Sequence, residues 1–311
     1  MGAPTASGGV LRVGGLPASI DNDLACTTMA IGVDTAMNTI VEACDRIFDT
    51  ATAHKRTFLV EVMGRDMGYL AMTAGIAAGA DTVLVREVRL DEDHIVDQVV
   101  RTMEHAYAKG TGKRRVLVLK AEGVKLDMAR LKARIDERIG PTHPEVDTRV
   151  TVLGHVVRGG TPSAFDRLLG ARLANVAIRE LAAEKTDFMV GWIGPGAAGQ
   201  PSADDPFVVT VDLETVLRET ESMHRGDSPI ARWRRKVYAE VQTRLTRPQV
   251  ASSSARTRTV ICVGSRQKAR SGSAPTASAP ASRGPRVIRR PRARGAPPRS
   301  GSPPARPPAR G

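Results

Sequence analysis

The chain has 311 residues, 46 Lys and Arg against 33 Asp and Glu, a formal charge of +13 and 41% hydrophobic residues. That is enough for a buried core in one or two domains and excludes a small stapled scaffold. Cys26, Cys44 and Cys262 are odd in number and lack metal-ligand spacing, and no run approaches the ~18 apolar residues of a membrane span or the apolar stretch of a secretory signal, so a soluble, cytoplasmic chain without disulfide framework or metal ligands is expected.

In chain order, residues 14–23 form a polar loop, Gly14-Gly15-Leu16-Pro17-Ala18-Ser19-Ile20-Asp21-Asn22-Asp23. A carboxylate held after a Gly/Pro turn can take a proton from a substrate hydroxyl; the same residues also suit an Asx-turn or a helix N-cap. From 31 to 48, Met37, Ile40, Val41, Cys44, Ile47 and Phe48 recur at three- and four-residue steps, one face of a helix. Residues 57–63 are short, apolar and β-branched, closed by Gly64, and read as a strand buried on both faces.

The pattern repeats. Helices are predicted at 67–79, 93–109, 126–139, 163–184 and 228–245, and strands at 82–85, 115–119, 150–153 and 188–193. Strands alternating with helices imply crossover connections, a largely parallel sheet covered by helices on both faces, and an α/β fold.

In open α/β sheets ligands lie beyond the carboxyl ends of the strands, which directs attention to residues 14–23, 63–66, 120–123 and 154–161. Met63-Gly64-Arg65 combines close backbone approach with a forked donor for a phosphate or sugar hydroxyl; a strand-ending glycine with a solvated arginine is the plainer alternative. Glu122 can accept hydrogen bonds from sugar hydroxyls, or be a surface carboxylate. Arg149 precedes a strand, and His155, Arg158, Gly159 and Gly160 follow it, with Thr161-Pro162 opening a helix. Cations and free amides at a helix start suit a phosphate dianion; a helix cap beside an unrelated histidine is the alternative. Together these loops describe a pocket for a phosphorylated polyol.

From Arg247 onward there are fifteen of the 46 basic residues and none of the acidic ones, leaving 31 against 33 in residues 1–246, a net of −2. This tail also holds eleven of the 20 prolines and no aromatic residue, so 247–311 is expected to be disordered. The basic charge belongs to that appendage; nucleic-acid binding would come only through it.

Residues 16–23, Gly32-Val33-Asp34-Thr35-Ala36, His54-Lys55-Arg56, Glu61-Val62-Met63-Gly64-Arg65 and Gly154-His155-Val156-Val157-Arg158-Gly159-Gly160 together resemble the phosphofructokinase family, over about residues 13–245. The resemblance implies transfer of the ATP γ-phosphoryl to the 1-hydroxyl of fructose 6-phosphate, with magnesium, in glycolysis. It implies that Asp21 is the proton acceptor and that Ser19, Ile20 and Asp23 are its substrate-binding neighbours. Met63, Gly64, Arg65 and Glu122 then contact the sugar, and His155 and Arg158 the 6-phosphate. Arg56 and Arg149 match arginines that cross into a neighbouring subunit's site, which implies an oligomer, a tetramer by family habit.

The family's ATP and magnesium loops belong upstream of Gly14, so an incomplete N-terminal domain is expected, with a silent sugar-phosphate-binding or regulatory subunit as the alternative to an active kinase. Ala18, where pyrophosphate-using relatives carry lysine, favours ATP. Phe48 replaces an arginine of the family's allosteric effector site.

Overall fold

A computed structural model of the chain describes residues 11–49, 55–108, 115–193 and 205–245, all within one compact unit, Met1–Ala251. The predicted tail at 247–311 lies outside the described residues. In chain order the elements are β1 (Gly14–Gly15), α1 (Val33–Asp49), β2 (Arg56–Val62), α2 (Tyr69–Ala77), β3 (Thr82–Leu84), α3 (Glu92–Tyr107), β4 (Arg115–Ala121), α4 (Met128–Ile139), β5 (Asp147–Val152), α5 (Ala164–Ala182), β6 (Phe188–Trp192), β7 (Val208–Asp212), α6 (Leu213–Arg225) and α7 (Pro229–Leu245). Short 3-10 helices occupy Arg86–Val88 and Gly154–Arg158.

The apolar run after Arg56 forms a central strand because both of its faces are covered. Phe58, Leu59, Val60 and Val62 of β2 are all buried. Four strands pair in the order β3-β4-β2-β5, every pair parallel, as helical crossovers require. Alternate side chains of β3 show the two layers. Thr82 hydrogen-bonds Thr102 of α3 at 2.9 Å, while the Val83 side chain packs against Gly75 of α2. The β3 edge is closed by α7, whose Tyr238 hydroxyl donates to the Val83 carbonyl at 2.7 Å, protecting a strand edge that would otherwise be open.

A second sheet, β1-β6-β7, rests on α5 through Leu169, Leu173, Val176, Phe188, Val190 and Val208. Here β1 and β6 are parallel and β7 is antiparallel, an addition to the expected parallel pattern. β1, β7 and α6 carry no sequence prediction.

Three local readings change. Arg149 lies inside β5 instead of preceding a strand at 150–153, because β5 is an edge strand in which polar and apolar residues mix. Lys120 belongs to β4 and not to a loop; it is 2% exposed, and its Nζ reaches Glu61 Oε2 of β2 at 2.7 Å. After β5, Gly154–Arg158 form a 3-10 helix that ends at an extended Gly159, and α5 begins only after Ser163, whose hydroxyl caps it by accepting from the Asp166 N–H at 3.1 Å.

Candidate functional site

β4, β2 and β5 are consecutive neighbours, so the residues leaving their carboxyl ends stand side by side: Glu122, Met63-Gly64-Arg65, and His155 with Arg158. The loop carrying Asp21 arrives from the other sheet, off the end of β1.

In that loop the structural duties fall on Asn22. It is fully buried with a left-handed backbone (φ 51°), a conformation asparagine tolerates better than most residues. Its side-chain amide donates to the Thr28 carbonyl and accepts from the Ala30 N–H, each at 3.0 Å, and its N–H donates to the Ser19 carbonyl at 3.1 Å. The Ser19 hydroxyl donates to Asp23 Oδ1 at 2.5 Å. Ile20 is half-buried and packs against the main core, its methyl 3.2 Å from where a Cβ on Gly32 would stand. The turn reading thus describes Ser19, Asn22 and Asp23, and leaves Asp21 unspent.

Asp21 is half-buried, and its Oδ1 has no hydrogen-bond partner among the described residues. Burial pushes its carboxyl above the usual range, helped by the carboxylates of Asp23 and Glu122; a hydrogen bond from the Arg65 backbone and the charge of Arg158 oppose the rise. Arg65, Glu122 and Arg158 therefore each act on Asp21. A carboxyl so placed holds a proton more tightly than a solvated one, which makes its ionised form the stronger base.

Two glycines set the floor. Gly64 has φ 130°, and a Cβ there would lie 2.6 Å from the Met67 carbonyl oxygen. Gly123 approaches from β4, its N–H donating to the Gly64 carbonyl at 3.1 Å, while the Glu122 N–H donates to Val62 at 2.9 Å. Met63 is buried, and its sulfur accepts from Arg158 Nε at 3.3 Å. His155 and Arg158, three residues apart on a 3-10 helix, share a face; both are exposed, as is Arg65.

Arg56 and Arg149 are not brought to this place. Arg56 opens β2, roughly 20 Å of strand from Met63, and both arginines turn to Asp147, Arg149 Nε at 2.8 Å and Arg56 Nε at 3.7 Å. Phe48 lies beneath the Arg115 guanidinium, 4.3 Å from its ring centre.

Sequence reasoning passed over Asp166. This carboxylate, 4% exposed on α5, accepts from the backbone N–H groups of Gly32 and Thr35, both at 2.8 Å, and from the Thr35 hydroxyl at 2.5 Å. It satisfies the free amides at the start of α1 from a distance of more than a hundred residues, a role that no local cap pattern signals.

A cavity of about 420 Å³ lies beyond the ends of β3 and β4, lined by Leu84, Val85, Arg86, Arg89, Gly123 and Lys125 among others. It borders the site without including Asp21, Arg65, Glu122 or Arg158. Among the described residues no group of three or more His, Cys, Asp or Glu side chains is arranged to hold a metal ion. No helix of the described residues is long and apolar enough to cross a membrane.

Residues 4–181 match the family model for phosphofructokinase. ATP-dependent 6-phosphofructokinase of Natranaerobius thermophilus is 49% identical over 181 residues, 58% of this chain and 53% of that protein. The enzyme of the same name from Macrococcus caseolyticus is 44% identical over 208 residues, 66% of this chain and 60% of its own. Among solved structures, phosphofructokinase from Saccharomyces cerevisiae superposes with a TM-score of 0.62 at 27% identity, over 76% of this chain and 30% of the yeast chain. The Pichia pastoris phosphofructokinase in the T-state gives 0.58 at 29%, over 75% and 24%. The chain spans about half the length of the curated relatives it matches.

Proposed function

The chain belongs to the phosphofructokinase family, and from that premise we propose that its described residues form the acceptor side of an ATP-dependent 6-phosphofructokinase. The reaction is phosphoryl transfer from ATP to the 1-hydroxyl of fructose 6-phosphate, giving fructose 1,6-bisphosphate in cytoplasmic glycolysis. One observation carries the reading: the half-buried carboxyl of Asp21, which takes a hydrogen bond from the Arg65 backbone and leaves Oδ1 without a partner, lies within electrostatic reach of Glu122 and Arg158 at adjoining strand ends. Asp21 takes the hydroxyl proton as the hydroxyl oxygen bonds to the γ-phosphorus and the bond from that phosphorus to the ADP oxygen breaks. Glu122 accepts hydrogen bonds from the sugar, Arg65 orients it, and Arg158 with His155 holds the 6-phosphate. Ser19 and Asp23 stiffen the loop through their mutual hydrogen bond.

ATP and magnesium enter through the named relatives, and none of the described residues is assigned to either. An oligomer, a tetramer by family habit, is supported by the edge strand β5, on which Arg149, Val150 and Val152 are exposed, and by the position of Arg56 and Arg149 far from this chain's own site. The test separates binding from transfer. Asp21→Asn is expected to keep fructose 6-phosphate affinity within about threefold while lowering transfer at least ~100-fold, the scale of general-base catalysis. Equal loss of both contradicts the base role.

A further inference from the structure

Arg234 of α7 is 4% exposed, and among the described residues its Nε and Nη1 have no hydrogen-bond partner. A guanidinium is rarely buried so incompletely paired. Its Nη2 donates to the Asn22 carbonyl at 3.1 Å, and its guanidinium carbon lies over the Tyr69 ring, 4.7 Å from the ring centre. Glu87 lines the same small cavity as Arg234: one carboxylate oxygen accepts from the Gly68 N–H at 2.8 Å, and the other, Oε2, is buried and unpaired among the described residues. Glu87 and Arg234 line a cavity of about 10 Å³, close to the least volume that holds one water molecule.

The loop is gripped elsewhere by the same pair of helices. His224 Nε2 lies 3.1 Å from the Asp23 carbonyl, and the Thr220 hydroxyl accepts from the Ala25 N–H at 3.0 Å. Asn22, Asp23 and Ala25 are thus each tied to α6 or α7. Both helices lie beyond residues 4–181, the span of the family match.

We propose that Arg234 is a positioning residue for Asp21, fixing the loop through the Asn22 carbonyl. The proposal rests on the reading of Asp21 as the proton acceptor. The left-handed Asn22 turns its carbonyl toward α7, and the rigid guanidinium fork ties down the residue next to the base at one point.

Arg234→Met tests this in the full chain by amide hydrogen exchange and by carbon-detected titration of the Asp21 carboxyl. The expected result is exchange about 10- to 100-fold faster at the amides of residues 19–25, the scale of one lost charge-assisted hydrogen bond, with β2 and β4 amides unchanged. The Asp21 midpoint falls toward the ordinary carboxylate value as water enters. Arg234→Lys, which keeps one donor, restores part of both effects and reads the same quantities should the methionine variant not fold. Exchange that rises evenly over α7, β3 and the loop, or an unmoved Asp21 midpoint, overturns the proposal. Failure of the wild-type chain to bind fructose 6-phosphate would count against the function reading and leaves this measurement standing.

Discussion

Gly123 stands so close to Arg65 that a Cβ on it would lie 2.1 Å from the Arg65 carbonyl oxygen. The two turns that leave β2 and β4 are therefore in backbone contact, and neither can move without the other. Gly123→Ala is expected to destabilise the fold by about 3 kcal/mol, because the obstacle is backbone that cannot rotate aside. It is also expected to weaken fructose 6-phosphate binding by displacing Arg65 and Glu122. Urea unfolding and calorimetry on one preparation check both; an unchanged midpoint shows that the turns are loosely coupled.

The raised pKa of Asp21 makes a signed prediction about stability. The folded state holds this proton more tightly than the unfolded chain, so its contribution to stability is fully present below the ordinary aspartate pKa and is lost as pH rises through the raised value. Asp21→Asn, which cannot ionise, should therefore match the wild type near pH 3 and exceed it at pH 7. Thermal unfolding at the two pH values measures the difference, and a variant less stable at pH 7 contradicts the assignment of burial as the main cause.

Lys120 and Glu61 are a buried pair within the parallel sheet, with side chains 2% and 21% exposed. Removing only the acid leaves an ammonium without its counter-charge. Glu61→Leu is expected to cost about 3 kcal/mol, the low end for such a break because Glu61 keeps some solvent contact, whereas Glu61→Leu with Lys120→Met is expected to cost under about 1 kcal/mol. Chemical denaturation of the single and double variants decides; equal losses show that the pair is held for its own attraction.

Much of this fold is legible in local pattern. The face of α1 marked by Ile40 and Cys44 is the buried one, and the run from Thr57 to Val62 is the central strand. What escapes is settled by distant partners. Lys120 looks like the first residue of a loop until Glu61 of β2 appears beside it, and Arg149 looks like a residue outside a strand because the edge position of β5 relaxes the apolar pattern. α6 did leave a signal: Asp212 caps it by accepting from the Thr215 N–H at 2.8 Å, and Val216 and Met223 are spaced along its buried face. In the candidate site, polar residue types at strand ends are readable from local pattern and Asp21 is singled out by the family resemblance, but the buried turn role of Asn22 is not readable. It depends on Thr28, Ala30 and Arg234 lying around the loop.

Asp166 ties α5 to the start of α1, and Thr35 is the shared contact. Asp166→Ala removes three hydrogen bonds to a buried carboxylate and is expected to cost about 3 kcal/mol, less than the sum of the three because water refills part of the gap. Asp166→Asn, retaining one acceptor oxygen, should cost roughly half as much. Denaturation midpoints test the order; an alanine variant as stable as the wild type shows that α1 needs no anchor from α5.

Calorimetric titration of fructose 6-phosphate into the folded chain, with Arg158→Ala alongside, bears most directly on the proposed acceptor site. A single saturable binding event is predicted for the wild type, weakened about 10- to 100-fold in Arg158→Ala by the loss of a charge-assisted phosphate contact. No heat at millimolar ligand from a chain that is otherwise folded would contradict a sugar-phosphate site built from Asp21, Arg65, Glu122 and Arg158.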